Sequence, residues 1–141
     1  MKEVIVKNEQ ETEAFGLKLA DMLKSGSVVA LMGDLGAGKT TLTKAIAKGL
    51  GISSAVVSPT FTIIKEYDEG RLPLYHFDVY RINDEEEMFE LGYEDYFYGD
   101  GVCVVEWADL IEGLLPEDAI RINIEYGSEE NERIYQVTGT E

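Results

Sequence analysis

The feature that most constrains this chain is the segment Gly33-Asp34-Leu35-Gly36-Ala37-Gly38-Lys39-Thr40, which follows the continuous apolar run Val28–Met32. The segment has the pattern G-x-x-x-x-G-K-[ST], and an apolar run of this length is typical of a strand buried on both faces. We therefore predict a strand, a glycine-rich loop and a helix from about Lys39 to Lys48 in succession. A strand, loop and helix of this kind indicate an α/β fold with a phosphate-binding loop.

The residue types of this loop explain its chemistry. Glycines let backbone N–H groups approach phosphate oxygens closely, and the following helix presents its positive end to the same anion. Lys39 is expected to reach the β and γ phosphates, Thr40 to ligate Mg²⁺, and Thr41 to lie near the α phosphate. The loop residues predicted to bind a purine nucleoside triphosphate are Gly33, Gly36, Ala37, Gly38, Lys39, Thr40 and Thr41.

A second apolar run, Val102–Val105, ends in Glu106. Enzymes with a phosphate-binding loop hold Mg²⁺ with a carboxylate from a neighbouring buried strand. Glu106 is therefore predicted to be a metal ligand together with Thr40. The alternative is a strand-end carboxylate that only faces solvent.

Leu74–Tyr80 alternates between polar and apolar residues, which is typical of a strand. The two-residue period places His76, Asp78 and Tyr80 on one face. Asp78 is predicted to orient the attacking water or a metal-bound water, the alternative being a salt bridge to Arg81 or to a neighbouring strand. His76, the only histidine, is either a structural residue or a second candidate for orienting the water.

Three further observations bear on the nucleotide. Ser58-Pro59-Thr60 could contact the γ phosphate and become ordered around it, or it could be an ordinary turn. Trp107 follows Glu106 and is either a packing residue or close enough to the site to report nucleotide binding. The chain has no Asn-Lys-x-Asp element of the kind that guanine-specific proteins carry, which favours ATP.

The remaining pattern predicts an α/β fold made of one P-loop NTPase domain over residues 1–141, with a mostly parallel central sheet, added antiparallel strands and helices on both faces. The further elements expected are a strand at Glu3–Lys7, a helix capped by Asn8 and stopped by Gly26, a hairpin of Thr60–Tyr67 with Leu74–Tyr80, a helix at Asp84–Leu91 capped by Asn83, and a terminal hairpin of Ala119–Tyr126 with Arg133–Thr138.

The charge balance argues against nucleic acid as the direct ligand. The chain has 12 basic and 28 acidic residues and a net charge of −16, which repels phosphate backbones at long range. For this reason no DNA binding is expected. No membrane attachment is expected either, because the first residues are too charged for a signal peptide and no apolar stretch reaches spanning length. Cys103, the single cysteine, is expected in the core, and this cysteine usage fits the cytoplasm.

Four segments together resemble the TsaE family, also called YjeE. They are Leu35–Thr41, Ser58–Thr62, Tyr75–Arg81 and Val105–Trp107. Each segment alone is common, but their order and spacing agree with the family, and the resemblance covers essentially the whole chain.

The resemblance implies a bacterial ATPase required for the threonylcarbamoyl modification of the tRNA adenosine next to the anticodon. Such proteins act on the TsaB–TsaD heterodimer, in which TsaD is the transferase, and meet tRNA only through that complex. The resemblance also assigns Mg²⁺ to Thr40 and Glu106, phosphate to 36–41 and hydrolysis to Asp78. It places the base near Glu9, with Arg133 as a further contact.

Three functions remain open from the sequence. The first is a partner-gated ATP hydrolase, slow alone because no arginine is evidently placed to complete the site, although Arg71 and Arg81 are candidates. The second is a small-molecule kinase, for which the arginines after the loop are too scattered to suggest a lid. The third is a module that binds a nucleotide without hydrolysing it.

Overall fold

Four parallel strands form the centre of the sheet. The computed structural model describes residues 2–34, 36–59 and 63–140. The strands are β1 (Lys2–Val6), β2 (Val28–Gly33), β3 (Ile64–Tyr67), β4 (Leu74–Asp78), β5 (Val102–Glu106), β6 (Ile120–Tyr126) and β7 (Arg133–Thr138). The helices are α1 (Glu9–Met22), α2 (Lys39–Gly49), α3 (Glu86–Leu91), α4 (Tyr93–Phe97) and a 3₁₀ helix at Ala108–Leu114.

The described strands form one seven-stranded sheet in the order β1-β7-β6-β2-β5-β4-β3. Strands β6, β2, β5 and β4 pair in parallel, while β3 joins one edge and the β7–β1 pair joins the other in antiparallel fashion. The mixed α/β architecture with a parallel centre and antiparallel additions is therefore confirmed.

Helices cover both faces of this sheet. On one face α1 and α2 pack against a set of strand residues that includes Val29 and Leu31. On the other face α3, α4 and the 3₁₀ helix pack against the alternate residues, among them Val28 and Ala30. Burial of both faces explains why β2 and β5 are apolar at consecutive positions rather than alternating.

Cys103 is part of this core, as expected. Its thiol is fully buried and donates a hydrogen bond to the Tyr96 carbonyl oxygen at 3.2 Å. Burial in apolar surroundings raises the pKa of the thiol to about 12.

Most element positions agree with the sequence pattern to within a few residues, and the differences lie at the ends. Helix α1 ends at Met22, before Gly26, whose φ of 87° places it in the turn that follows. Strand β4 ends at Asp78 instead of Tyr80. Strand β3 begins at Ile64, and residues 60–62 of the strand predicted there lie outside the described part of the chain.

The predicted Asn83 cap is wrong. Helix α3 begins after Glu85, and Asn83 instead donates its backbone N–H to the Glu87 carboxylate at 2.6 Å. The 3₁₀ helix and α4 were not predicted, because both are too short to show an apolar repeat. They are held by their burial in the core through residues such as Phe97 and Ile111.

Helices α1 and α2 approach each other closely, because small residues line their contact. A Cβ atom at Gly16 would collide with the Ala45 side chain, and one at Gly49 would collide with Ala20. Helix α1 thereby sets the position of α2, whose first turn carries Lys39, Thr40 and Thr41.

None of the helices in the described part of the chain combines the length and the apolarity needed to cross a bilayer.

The close helix contact gives a test of the packing. Gly16→Leu should lower the free energy of unfolding by about 1 to 3 kcal/mol, since the new side chain overpacks a buried contact. Ala14→Leu on the exposed face of the same helix is the matched control and should change it by less than about 0.5 kcal/mol. Urea unfolding of both variants measures the difference, and equal stabilities would contradict the packing described here.

Candidate nucleotide-binding site

The carboxyl ends of β2, β4 and β5 lie together at the edge of the sheet where the parallel strands end, which is not the edge formed by an outer strand. Because the three strands are parallel, Gly33, Asp78 and Glu106 are the last residues of neighbouring strands and point toward the same edge. Asp78 and Glu106 are direct partners in the register of β4 with β5. Ligands of open α/β sheets bind at this kind of edge.

Glycines shape the loop between β2 and α2. Gly36 and Gly38 have φ angles of 81° and 107°, in the left-handed region that side chains disfavour. At Gly33 a Cβ atom would lie 2.6 Å from the carbonyl oxygen of Ile124. The loop therefore needs glycine at these positions for its own geometry, and α2 begins directly after Gly38.

Lys39 is folded against its own loop. Its side-chain ammonium donates hydrogen bonds to the carbonyl oxygens of Gly33 at 2.7 Å and Asp34 at 2.8 Å. It also lies 3.9 Å from the centroid of the Trp107 ring, a cation–π distance. Burial lowers the pKa of Lys39, and the Glu106 carboxylate opposes that effect. A phosphate reaching this ammonium would replace some of these contacts.

Beside the loop, the side-chain oxygens of Thr40, Ser58 and Glu106 lie close together. The Thr40 hydroxyl donates to Glu106 Oε1 at 2.9 Å and lies 3.1 Å from the Ser58 hydroxyl. Glu106 is only 2% exposed. The two side chains predicted to hold Mg²⁺ are therefore in contact, although their distance in sequence is large.

The donor set fits Mg²⁺. The described residues include no group of three or more His, Cys, Asp and Glu side chains arranged to hold a metal ion. The available ligands are instead one hydroxyl and one carboxylate, and Mg²⁺ is usually bound by one or two protein oxygens that leave the other positions to phosphates and water. Thr40 and Glu106 are the residues that would hold it.

Asp78 is half-buried and lines the same cleft as Thr40, Ser58 and Glu106. Its Oδ1 accepts a hydrogen bond from the Tyr80 backbone N–H at 3.0 Å. Burial raises the pKa of Asp78, with the Glu106 charge adding to the rise and the Tyr80 hydrogen bond opposing it.

A cleft of about 360 Å³ joins these groups. Its lining residues are Gly36, Gly38, Lys39, Thr40, Thr41, Ser58, Asp78, Tyr80, Glu106 and Trp107. Most of the residues singled out in the sequence thus border one space. The Tyr80 and Trp107 rings close one side of it, with their centroids 4.6 Å apart.

The two base-contact candidates lie at the margins of the loop. Glu9 is exposed and borders a pocket of about 200 Å³ that shares Thr41 with the cleft. Arg133 donates to the Ala37 carbonyl oxygen at 3.0 Å. Thr60, the remaining predicted nucleotide contact, lies outside the described residues.

Three other predicted candidates do not line the cleft. His76 is fully buried, and its Nε2 lies 2.6 Å from Glu106 Oε2, so it does not face the cleft. The guanidinium of Arg71 bonds the carbonyl oxygens of Ala20 and Leu23 and closes the end of α1. Arg81 is exposed and borders an adjoining pocket that Asp78 also lines.

Sequence reasoning missed two residues. Thr43 is buried one turn after Lys39, and its hydroxyl lies 3.3 Å from Glu106 Oε2. Tyr126 is the last residue of β6, so it lies where the other parallel strands end. Its ring lies against Arg133, and its hydroxyl lies close to Gly36. Tyr126 could have been found from its place at the end of a predicted strand, whereas only the fold reveals Thr43.

Comparison with known proteins gives a consistent result. The profile of the family described as "Threonylcarbamoyl adenosine biosynthesis protein TsaE" matches residues 6–135. A tRNA threonylcarbamoyladenosine biosynthesis protein TsaE from Bacillus subtilis is 54% identical over 133 residues, covering 94% of this chain and 83% of the relative. The protein of the same name from Treponema pallidum is 42% identical over 130 residues, covering 92% and 96%.

A solved structure agrees in fold. The crystal structure of Bacillus subtilis YdiB superposes with a TM-score of 0.85 and 46% sequence identity, covering 99% of this chain and 86% of that one. The match of sequence and fold over almost the whole chain shows that it belongs to the TsaE family of threonylcarbamoyl adenosine biosynthesis proteins.

Proposed function

We propose that this chain is a Mg²⁺-dependent ATPase with a P-loop NTPase domain, and that it supports threonylcarbamoyl modification of tRNA by acting on the TsaB–TsaD heterodimer. The observation that carries the proposal is the contact of Thr40 with Glu106 at 2.9 Å, beside Lys39 and the glycine loop. Hydroxyl, carboxylate, ammonium and loop amides are the groups that phosphoryl-transfer sites combine.

The charges in the cleft support a requirement for the metal. One ammonium, Lys39, faces two carboxylates, Asp78 and Glu106. A bare triphosphate would be repelled by this lining and by the acidic surface. Mg²⁺ bound at Thr40 and Glu106 would neutralise charge on the β and γ phosphate oxygens.

Hydrolysis would be the attack of a water oxygen on the γ phosphorus. The new P–O bond forms as the bond to the bridging oxygen breaks, giving ADP and phosphate, and the water proton passes to the phosphate product. Asp78 would orient the water, while Lys39 and the loop amides stabilise the charge on the transferred group.

The positions of the arginines support a dependence on a partner. Arg71 and Arg133 are engaged with backbone carbonyl oxygens, and Arg81 is exposed at the edge of the adjoining pocket. No arginine lines the cleft itself within the described residues. We therefore propose that the TsaB–TsaD complex completes the site. From the acidic surface we propose that tRNA is met only through that complex, and from the single buried cysteine that the chain works in the cytoplasm.

The partner requirement can be measured directly. Adding TsaB and TsaD should raise the ATP hydrolysis rate at least about ten-fold, since a supplied charge stabilises the transition state. Phosphate release is followed with the chain alone, with each partner and with both. A rate unaffected by the partners contradicts the partner-gated function, and tight ATP binding without hydrolysis in the full complex supports a binding module instead.

Asp78 can be tested by a matched pair of variants. Asp78→Asn should lower the hydrolysis rate in the complex about 100-fold and leave ATP affinity nearly unchanged, because the residue orients water rather than phosphate. Asp68→Asn, an exposed residue in the β3–β4 turn, is the control. Equal rates for the two variants would exclude Asp78 from the chemical step.

Trp107 is the only tryptophan and should report nucleotide binding. Lys39 lies over its ring in this structure, and phosphate should draw the ammonium away. We expect the emission of the wild-type chain to change on titration with Mg·ATP and that of Lys39→Met to stay constant. Constant wild-type emission at ATP levels that calorimetry shows to be saturating would mean that Lys39 keeps its place over the ring.

A further inference from the structure

We infer that His76 is a positioning residue, which holds the Glu106 carboxylate in the orientation that Mg²⁺ requires. The inference rests on the proposed function, because it takes Glu106 as a ligand of Mg²⁺. His76 itself would touch neither the nucleotide nor the metal.

The two carboxylate oxygens of Glu106 have separate partners. Oε2 faces inward, 2.6 Å from His76 Nε2 and 3.3 Å from the Thr43 hydroxyl. Oε1 faces the cleft and accepts the Thr40 hydroxyl at 2.9 Å. Fixing Oε2 therefore fixes the direction in which Oε1 is presented to a metal held by Thr40.

Burial makes the inner contact consequential. The side chain of His76 is 0% exposed and that of Glu106 is 3% exposed. A buried carboxylate is costly unless its oxygens accept hydrogen bonds, and bonds to a charged oxygen are among the strongest in proteins. Without His76, Oε2 would keep only the longer contact with Thr43, and the carboxylate could turn.

The other ring nitrogen shows which way the hydrogen bond runs. His76 Nδ1 is buried and has no hydrogen-bond partner among the described residues. A hydrogen on Nδ1 would be a buried donor without an acceptor, which is unfavourable. With the hydrogen on Nδ1, Nε2 would also face a carboxylate oxygen with no hydrogen between them, so we assign the ring hydrogen to Nε2, from which it is donated to Glu106.

The strand register explains how His76 reaches Glu106. His76 pairs with Val104, and Asp78 pairs with Glu106, so His76 lies two residues before the strand end. Side chains two residues apart on a strand share a face. The two-residue period that places Asp78 at the cleft therefore places His76 on the same strand face, deeper in the core, where it contacts the Glu106 carboxylate and does not line the cleft.

The test uses two variants of equal side-chain length. His76→Met removes the donor, and His76→Gln keeps an N–H near the position of Nε2. ATP affinity is measured by calorimetry at a series of free Mg²⁺ concentrations and again in EDTA, with thermal unfolding as a check of folding. Loss of a hydrogen-bond partner behind a ligating group typically costs about 10- to 100-fold in metal affinity.

We expect His76→Met to need about 10-fold or more Mg²⁺ for half of its effect on ATP affinity, while His76→Gln stays near the wild type. Affinities in EDTA should be the same for all three proteins. In a Glu106→Gln background, either His76 substitution should add no further change in Mg²⁺ dependence.

Three outcomes would overturn the inference: an unchanged Mg²⁺ dependence in His76→Met, an equal loss of affinity with and without Mg²⁺, or a full effect of the substitution in the Glu106→Gln background. If His76→Met does not fold, His76→Asn takes its place, since its shorter amide cannot reach Oε2. A wild-type chain that binds no Mg·ATP would instead overturn the proposed function itself.

Discussion

The buried carboxylate of Glu106 is the constraint on which the candidate site depends. Three side chains from two other elements, Thr40 and Thr43 on α2 and His76 on β4, surround its two oxygens. A carboxylate removed from water is tolerated only where such partners are present. The contacts therefore tie α2 to the parallel strands, and with it the glycine-rich loop that precedes α2.

That arrangement is supported from outside the cleft. The small residues between α1 and α2 allow the two helices to pack closely side by side on one face of the sheet, so α2 contacts α1 as well as the strands. Arg71 closes the carboxyl end of α1 by donating to the carbonyl oxygens of Ala20 and Leu23. Arg71 thus supports the frame away from the cleft, whereas Lys39, Asp78 and Glu106 inside it are the charged groups that we propose for the chemistry.

The proposed function combines an acidic surface with a site for an anion. The net charge of −16 opposes polyphosphates at long range, while Lys39 and the loop amides attract them only at close range. In the proposed function a divalent cation would reconcile the two, since it would enter with the nucleotide. In this structure the Lys39 ammonium contacts the loop carbonyl oxygens and the Trp107 ring.

The sequence alone predicted the glycine-rich loop between a strand and a helix, the two apolar strands beside it and the strand-end carboxylates Asp78 and Glu106, because each of these depends on residues that are close in the chain. The order and spacing of four separate segments indicated the family. The sequence did not determine that Asn83 fails to cap α3, that short helices follow β5 and α3, or that Thr43 and His76 turn toward Glu106. Those features depend on which buried groups meet across the sheet, and only the tertiary structure decides that. His76 shows the difference most clearly: in the strand pattern it shares a face with Asp78, but burial directs it to the carboxylate instead of the substrate.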